Sequence, residues 1–188
     1  MTRPPAPLSR IEAAARRLRF DLSIDARVGE LLRTLAASRR GGRVLELGTG
    51  VGASTAWIRE GLPEDAELVT LDCDPQYTDV AREILGGDRR LTILTTDGGA
   101  WLTAYAGPPF DLIFADTWPG KYTHLEAALR LLRPGGIYLI DDMLPQPNWP
   151  EGHAAKAAAL RAHLRERDDL TVTEMDYATG IILAVKSA

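Results

Sequence analysis

Apolar positions recur along this chain with two periods, and the change from one to the other lays out the fold. Over residues 9–20, Ile11, Ala14, Ala15 and Leu18 fall at i, i+3, i+4 and i+7, the spacing of one helix face. Val28, Leu31, Leu32 and Leu35 repeat it over 25–37, with Ser23 or Asp25 as the N-cap. From Arg43 the pattern shortens. Arg43–Leu47 reads as a strand that runs into Gly48-Thr49-Gly50-Val51-Gly52 and a helix from about Ala53 to Gly61. Leu68–Leu71 is a second strand, closed by Asp72. Asp74-Pro75 then reads as an N-cap with proline at the first helical position. That helix buries Tyr77, Val80, Ala81, Ile84 and Leu85 and stops at Gly86-Gly87. Further strands are expected at Leu91–Leu94, Phe110–Ala115 and Ile137–Ile140. Between them come a short helix near Ala100–Tyr105 and one that buries Leu125, Ala128, Leu129 and Leu132 before Arg133-Pro134-Gly135-Gly136. After a loop over 143–153, a helix covers roughly Ala154–Arg167. Two β segments, Leu170–Tyr177 and Gly180–Lys186, follow across a tight turn at Ala178-Thr179.

Alternating strands and helices imply an α/β fold: a doubly wound, seven-stranded sheet, mostly parallel, with helices on both faces. The tight last connection makes the closing strands antiparallel, so the C-terminal strand runs against the rest. Nothing divides the chain, so a single domain over 1–188 is expected. It comprises a flexible tail over 1–8, N-terminal helices over 9–40 and a core over 43–188. Open sheets of this kind bind ligands at the carboxyl ends of their strands. Those ends here are Gly48–Gly52, Asp72, Asp97, Asp116 and Asp141-Asp142, acidic at every end after the first.

Composition narrows the class. The chain has 188 residues, 45% hydrophobic and 26% charged, which excludes a disordered or fibrous protein. A net charge of −4 argues against non-specific nucleic-acid binding, and the single cysteine, Cys73, excludes an intrachain disulfide framework. No apolar run reaches the ~18 residues of a membrane span, and Met1–Pro7 lacks the apolar region of a secretory signal. A cytoplasmic protein is therefore expected. Residues 1–43 carry ten arginines against four acids, a net +6 that reads as a solvated helix face or a contact for an acidic partner.

The Gly48–Gly52 run follows a strand and opens a helix, so its amides can bind a carboxylate or a phosphate. Asp72 ends the next strand, where a carboxylate can accept both hydroxyls of a ribose. The spacing is G-x-G-x-G, without the G-x-G-x-x-G phosphate fingerprint of dinucleotide sites, which disfavours an NAD-dependent oxidoreductase.

Val44-Leu45-Glu46-Leu47-Gly48-Thr49-Gly50-Val51-Gly52 resembles the first motif of class I S-adenosylmethionine-dependent methyltransferases, which share a Rossmann-like core. Leu132-Arg133-Pro134-Gly135-Gly136 and the closing strand pair look like further landmarks of that family. Phe110–Trp118 and Ile140-Asp141-Asp142 resemble the catechol and caffeoyl-CoA O-methyltransferase branch. The resemblance implies O-methylation of a small hydroxylated aromatic molecule. It implies that Glu46 and the loop residues Gly48, Thr49, Gly50 and Gly52, with Ser54, hold the methionine portion of the cofactor. Ser23 would lie near its carboxylate. Asp72, with Cys73 beside it, would take the ribose. Asp97, Gly98 and Ala100 would sit at the adenine, flanked by Trp101, with Asp116 and Trp118 completing the cofactor side. Cys73 otherwise reads as a small core hydrophobe.

The branch also implies a divalent cation, Mg²⁺, held by Asp116, Asp141 and Asp142. Such a metal would lower the acceptor oxygen's pKa and orient it. This chain departs from the pattern twice. Asp142 stands where the branch has Asn, and Pro119 where it has its lysine base. Lys121, two residues on, is then the candidate catalytic lysine alongside Asp116, with His153 and His124 as alternative bases. Trp118, Tyr122 and Trp149 would wall a flat acceptor pocket, and Met143–His153 would form a lid over it or cover the sheet edge. A homodimer fits the resemblance. Two other readings stay open: a methyltransferase acting on RNA or protein, and a cofactor-binding module without catalysis. The first is weakened because the fourth strand ends in Asp116-Thr117-Trp118-Pro119 rather than Asp/Asn-Pro-Pro-aromatic.

Overall fold

Strand residues divide between two faces with period 2. Val44, Leu112 and Leu139 pack to one side of the sheet; Leu45, Ile113 and Tyr138 pack to the other, all fully buried. The computed structural model describes residues 3–187. Its strands are β1 (Arg43–Leu47), β2 (Glu67–Asp72), β3 (Leu91–Thr95), β4 (Phe110–Ala115), β5 (Leu132–Ile140), β6 (Leu170–Met175) and β7 (Ile181–Lys186). They form one sheet in the order β3-β2-β1-β4-β5-β7-β6, parallel except for β7, which runs antiparallel to both neighbours.

The helices are α1 (Leu8–Leu18), α2 (Ala26–Ala37), α3 (Ala53–Gly61), α4 (Pro75–Leu85), α5 (Gly98–Ala104), α6 (Leu125–Leu131) and α7 (His153–Arg165). Ile58 of α3 and Val28 and Leu32 of α2 cover one face; Leu102, Ala128 and Leu160 of α5, α6 and α7 cover the other. α1 buries Ile11, Ala14 and Ala15 against Val51, Ala53 and Val80 at the N-terminal end of α3 and on α4. Asp25 caps α2 through the Arg27 amide, and Asp74 caps α4 through the Gln76 amide with Pro75 behind it. Ahead of α1, Pro5 is buried and Arg33 donates to the Arg3 carbonyl at 3.0 Å; Met1 and Thr2, part of the expected tail, lie outside the described residues.

Three expectations need correction. Leu132 belongs to β5, not to the face of α6: it pairs with Phe110 while Leu112 pairs with Ile137, so Arg133–Gly136 bulge out of the ladder. α5 starts at Gly98, because Asp97 accepts from the Ala100 amide and so caps it. Cys73 is exposed, so it is no core residue.

The connections run outward in both directions from β1 and β4, leaving a crevice where these adjacent strands end. Among the described residues, no helix is long and apolar enough to cross a membrane.

Candidate functional site

Two cavities open at the carboxyl ends of the strands. The first, about 210 Å³, lies against Gly48–Val51, Ala53 and Ser54, with Asp72 and Tyr77 on its far side. The second, about 500 Å³, lies over β4 and β5 and holds Lys121, Tyr122, Asp141, Asp142, Trp149 and His153. Asp116 and Thr117, at the end of β4, line both, and so do Leu22, Ser23 and Ile24 of the segment between α1 and α2. The two spaces therefore share a wall at Asp116.

The first cavity is built by the glycine loop. Gly48 and Gly50 hold φ of 107° and 48°, the left-handed region that a side chain strains to enter. The amides of Gly48 and Thr49 donate to the Leu71 carbonyl, and the Gly50 amide donates to Asp72 Oδ2 at 2.9 Å. Asp72 Oδ1 accepts from the Asp74 amide at 3.1 Å, so this carboxylate pins the loop while facing the cavity. A Cβ on Gly50 would stand 2.8 Å from Phe20, whose ring packs edge-on against Tyr77 with centroids 4.7 Å apart. Phe20, Leu22, Ile24 and Tyr77 were invisible as site residues in the sequence. The only hint was that Phe20 lies just past the helical apolar stripe and pairs with nothing local.

Glu46 does not line the cavity. It is fully buried beneath the loop, where Oε2 accepts from Thr55 Oγ1 at 2.5 Å and Oε1 has no partner. Burial pushes its carboxyl up to about 7, against the lowering effect of the Ser54, Thr55 and Thr70 hydroxyls, with the Asp72 charge adding to the rise. It ties β1 to α3 and supports the loop from below. Gly52 is likewise remote: a Cβ there would meet Leu85 at 3.0 Å and Ala81 at 3.2 Å, so it lets α3 approach α4.

The expected adenine group lies outside both cavities. Asp97 caps α5, Ala100 is exposed, and Gly98 packs under Pro119. Trp101 stacks on Tyr105 with centroids 4.6 Å apart and lies 6.4 Å from Phe110, at the start of β4 and so at the sheet edge away from the crevice. Trp101 lines neither cavity. Trp118 lines the second cavity and not the first, and Cys73 lines neither. Ser23 reaches both.

The second cavity gathers charge. Asp141 is buried; Thr179 Oγ1 and the Asp142 amide both donate to its Oδ1. Asp142 holds a left-handed backbone at φ 60°, and its Oδ2 accepts from Trp149 Nε1 at 2.8 Å, which fastens the 143–153 loop over β5. Burial raises the Asp116 carboxyl well above its ordinary range, and the Asp141 charge raises it further, against the pull of Lys121. Burial also raises Asp141, against its Thr179 and Asp142 donors and Lys121. Lys121 is 4% exposed. Its turn is held by Tyr138, whose buried hydroxyl donates to the Gly120 carbonyl at 2.6 Å.

His153 is buried, with Nε2 paired to the Tyr122 hydroxyl at 2.9 Å and Nδ1 without a partner. Burial lowers its pKa, and Lys121 lowers it further, against the opposing pull of Asp142. The Tyr122 hydroxyl is pushed up to about 12 by burial and by the Asp142 and Asp116 charges. His124 is exposed and stands at the N-cap position of α6 without a side-chain capping bond, its ring against Gly99; it lies outside the second cavity.

The three aspartates do not fit a metal as a set. Among the described residues, no three His, Cys, Asp or Glu side chains converge as a cation requires. Asp142 is held by Trp149 and Asp141 by Thr179, and a buried ammonium, that of Lys121, lines the same cavity.

A methyltransferase domain model matches residues 45–143, the stretch from β1 to just past β5. A protein of Mycolicibacterium vanbaalenii, provisionally named an O-methyltransferase, is 30% identical over 94% of this chain and 84% of its own length. Among solved structures, the O-methyltransferase TomG of Streptomyces achromogenes, described as involved in tomaymycin synthesis and in complex with SAM, superposes with a TM-score of 0.86. It is 26% identical over 100% of this chain and 92% of its own. An O-methyltransferase, so named provisionally, from Klebsiella pneumoniae gives a TM-score of 0.85 at 28% identity, over 100% of this chain and 93% of its own. With the glycine loop, the strand order and the antiparallel β7 all in place, the chain belongs to the methyltransferase domain family, as one of its class I S-adenosylmethionine-dependent O-methyltransferases.

Proposed function

We propose that this protein methylates a hydroxyl oxygen of a small, flat, aromatic molecule, with S-adenosylmethionine in the first cavity and the acceptor in the second. The observation that carries this reading is the shared wall at Asp116 and Thr117, since a one-step transfer needs donor and acceptor spaces that meet. When bound, S-adenosylmethionine supplies an electrophilic methyl carbon: a C–O bond forms as the C–S bond breaks, leaving a neutral thioether.

The chain's own groups suit these roles. Asp72 presents a carboxylate to the first cavity with lone pairs left for ribose hydroxyls. Gly48–Val51 and the start of α3 present backbone to the methionine portion. Asp116 stands at the junction, where an anionic or hydrogen-bonding oxygen favours a cationic donor. Trp118, Tyr122 and Trp149 offer flat apolar walls to an aromatic ring. The buried Tyr122–His153 pair and the Trp149–Asp142 bond hold those walls in fixed orientation, so little ordering remains to be done on binding.

Calorimetric titration of S-adenosylhomocysteine into the purified protein tests the donor half. Incubation of S-adenosylmethionine with a panel of phenols and amines, read by mass spectrometry, tests the acceptor half. Micromolar binding and methyl ethers as products are expected. No binding, or methylation of nitrogen alone, overturns the reading. Salt-sensitive retention of RNA on a filter, together with methylated RNA, favours a nucleic-acid acceptor instead.

A further inference from the structure

The second cavity is lined by five carboxylates, those of Asp21, Asp25, Asp116, Asp141 and Asp142, with one lysine, Lys121, among them, and the placement of that lysine is specific. Gly120 precedes it with φ 88°, at a point where a Cβ would collide with Leu47, so the chain there has no room for a side chain. The amides of Lys121, Tyr122 and Thr123 all donate to the Trp118 carbonyl, and Tyr138 fixes the Gly120 carbonyl from the sheet. This knot delivers the Lys121 ammonium into the cavity, with its Nζ 5.2 Å from the centre of the Tyr122 ring.

No carboxylate lies within ion-pair distance of that Nζ among the described residues. Lys121 is nevertheless 4% exposed. A buried ammonium is costly unless charge of opposite sign compensates it. Here Asp116 and Asp141 supply that field without consuming the donors, since both feel the Lys121 charge. The ammonium is left with hydrogen-bond capacity facing the acceptor space. The carboxylates beside it do not converge on a metal.

Resting on the O-methyltransferase reading above, we infer that Lys121 holds the acceptor oxygen as an oxyanion in the second cavity, and that this site works without a divalent cation. Lys121 thus does the electrostatic work assigned elsewhere in the resembling branch to a metal. Its position two residues past Pro119 is compensated by the tight Trp118–Thr123 turn, which carries the side chain back to the same cavity. The step is a deprotonation. The acceptor O–H bond breaks, the proton passes to water at the cavity mouth, and the electron pair stays on an oxygen facing a fixed positive charge. An opposite charge at such range lowers a phenol's pKa by about one to three. An ammonium replaces the metal's charge without needing octahedral ligands, which these carboxylates do not provide.

The test uses the full-length protein saturated with S-adenosylhomocysteine, with 4-nitrophenol as an acceptor analogue. It has one hydroxyl, does not chelate metals, and changes colour on ionising. Failure of S-adenosylhomocysteine to bind would defeat the methyltransferase reading itself and is scored separately. With it bound, 4-nitrophenol is expected to ionise at a pH at least one unit lower than in buffer, unchanged by chelator. Mn²⁺ followed by electron paramagnetic resonance is expected to show no stoichiometric site at micromolar concentration. Lys121→Met should abolish the downward shift, and Lys121→Arg should restore part of it. Nitrophenol that neither binds nor shifts in the wild type, a shift that survives Lys121→Met, or a shift that chelator removes would each overturn the inference. So would a tight Mn²⁺ site in the wild type. If Lys121→Met does not fold, the Mn²⁺ and chelator results on the wild type, with Lys121→Arg, still decide it.

Discussion

Glu46 offers the most quantitative prediction, because it is fully buried and its carboxyl is displaced for a physical reason that a single atom exchange removes. Its pKa is about 7 in the folded protein against a reference of 4.5, the loss of hydration outweighing the Ser54, Thr55 and Thr70 hydroxyls. The folded state therefore holds the Glu46 proton more tightly than the unfolded chain does. Stability from this group is fully present below about pH 4.5 and is lost as pH rises through about 7. Each pH unit between the two values is worth about 1.4 kcal/mol, so the whole interval amounts to roughly 3 kcal/mol. Glu46→Gln keeps the shape and an oxygen for the Thr55 hydroxyl but cannot ionise. The variant's stability relative to wild type should therefore improve by roughly 3 kcal/mol between pH 4.5 and pH 8. Urea unfolding followed by fluorescence of the buried Trp57, at several pH values and constant ionic strength, measures this. Taking the difference cancels Asp141 and His153, which titrate in both proteins, and leaves from Asp116 only the part of its shift that the Glu46 charge supplies. A difference that stays flat over that range would refute the claim that burial of an ionised Glu46 is what the fold resists.

Three further outcomes follow from the same geometry. Asp72→Ala should weaken S-adenosylhomocysteine binding by about 1.5–3 kcal/mol, the scale of a lost hydrogen bond to a charged group, and calorimetry would read it; an unchanged dissociation constant removes Asp72 from the cofactor wall. Gly50→Ala should lower both melting temperature and cofactor affinity, since it combines a left-handed φ with a methyl 2.8 Å from Phe20. Adding Phe20→Ala relieves only the contact, so complete recovery in the double variant would show that the backbone strain is negligible. Tyr138→Phe leaves the buried Gly120 carbonyl unpaired at a cost of about 1–3 kcal/mol, and amide exchange at Lys121–Thr123 should quicken; unchanged exchange there would show that the turn holds without Tyr138.

The strand and helix order was legible because each element carries its own punctuation. Arg43–Leu47, Ala53–Gly61 and Phe110–Ala115 lie where the apolar runs and glycines place them. Asp74-Pro75 starts α4 because a carboxylate acceptor and a preset φ are local chemistry. Leu132 was misassigned because its i, i+3, i+4, i+7 spacing from Leu125 fits a helix as well as a strand start. Only pairing with Phe110, 22 positions away, settles it. Cys73 shows the converse, an apolar side chain at the end of a strand where the sheet has run out of cover.

The site was legible where chain direction alone decides it and obscure where it depends on depth or on distant segments. Strand ends put Asp72, Asp116, Asp141 and Asp142 at one edge for topological reasons, so their proximity to a crevice needs no side-chain knowledge. Glu46 stands two residues before that edge, and the pleat turns it inward under α3. Motif spacing alone cannot separate a residue that touches a ligand from one that holds up the loop touching it. Leu22 and Ile24 reach both cavities, and Phe20 the first, from a segment that precedes the sheet altogether, so no local pattern ties them to it. Thr179 is the same case from the other end: it enters from the β6–β7 turn and donates to Asp141, 38 positions earlier in the chain. Metal ligation is the sharpest instance. Three aspartates at adjacent strand ends satisfy a ligand count in one dimension. In three dimensions, no three such ligands converge on one point among the described residues, and a lysine displaced past Pro119 brings a competing charge to the same space.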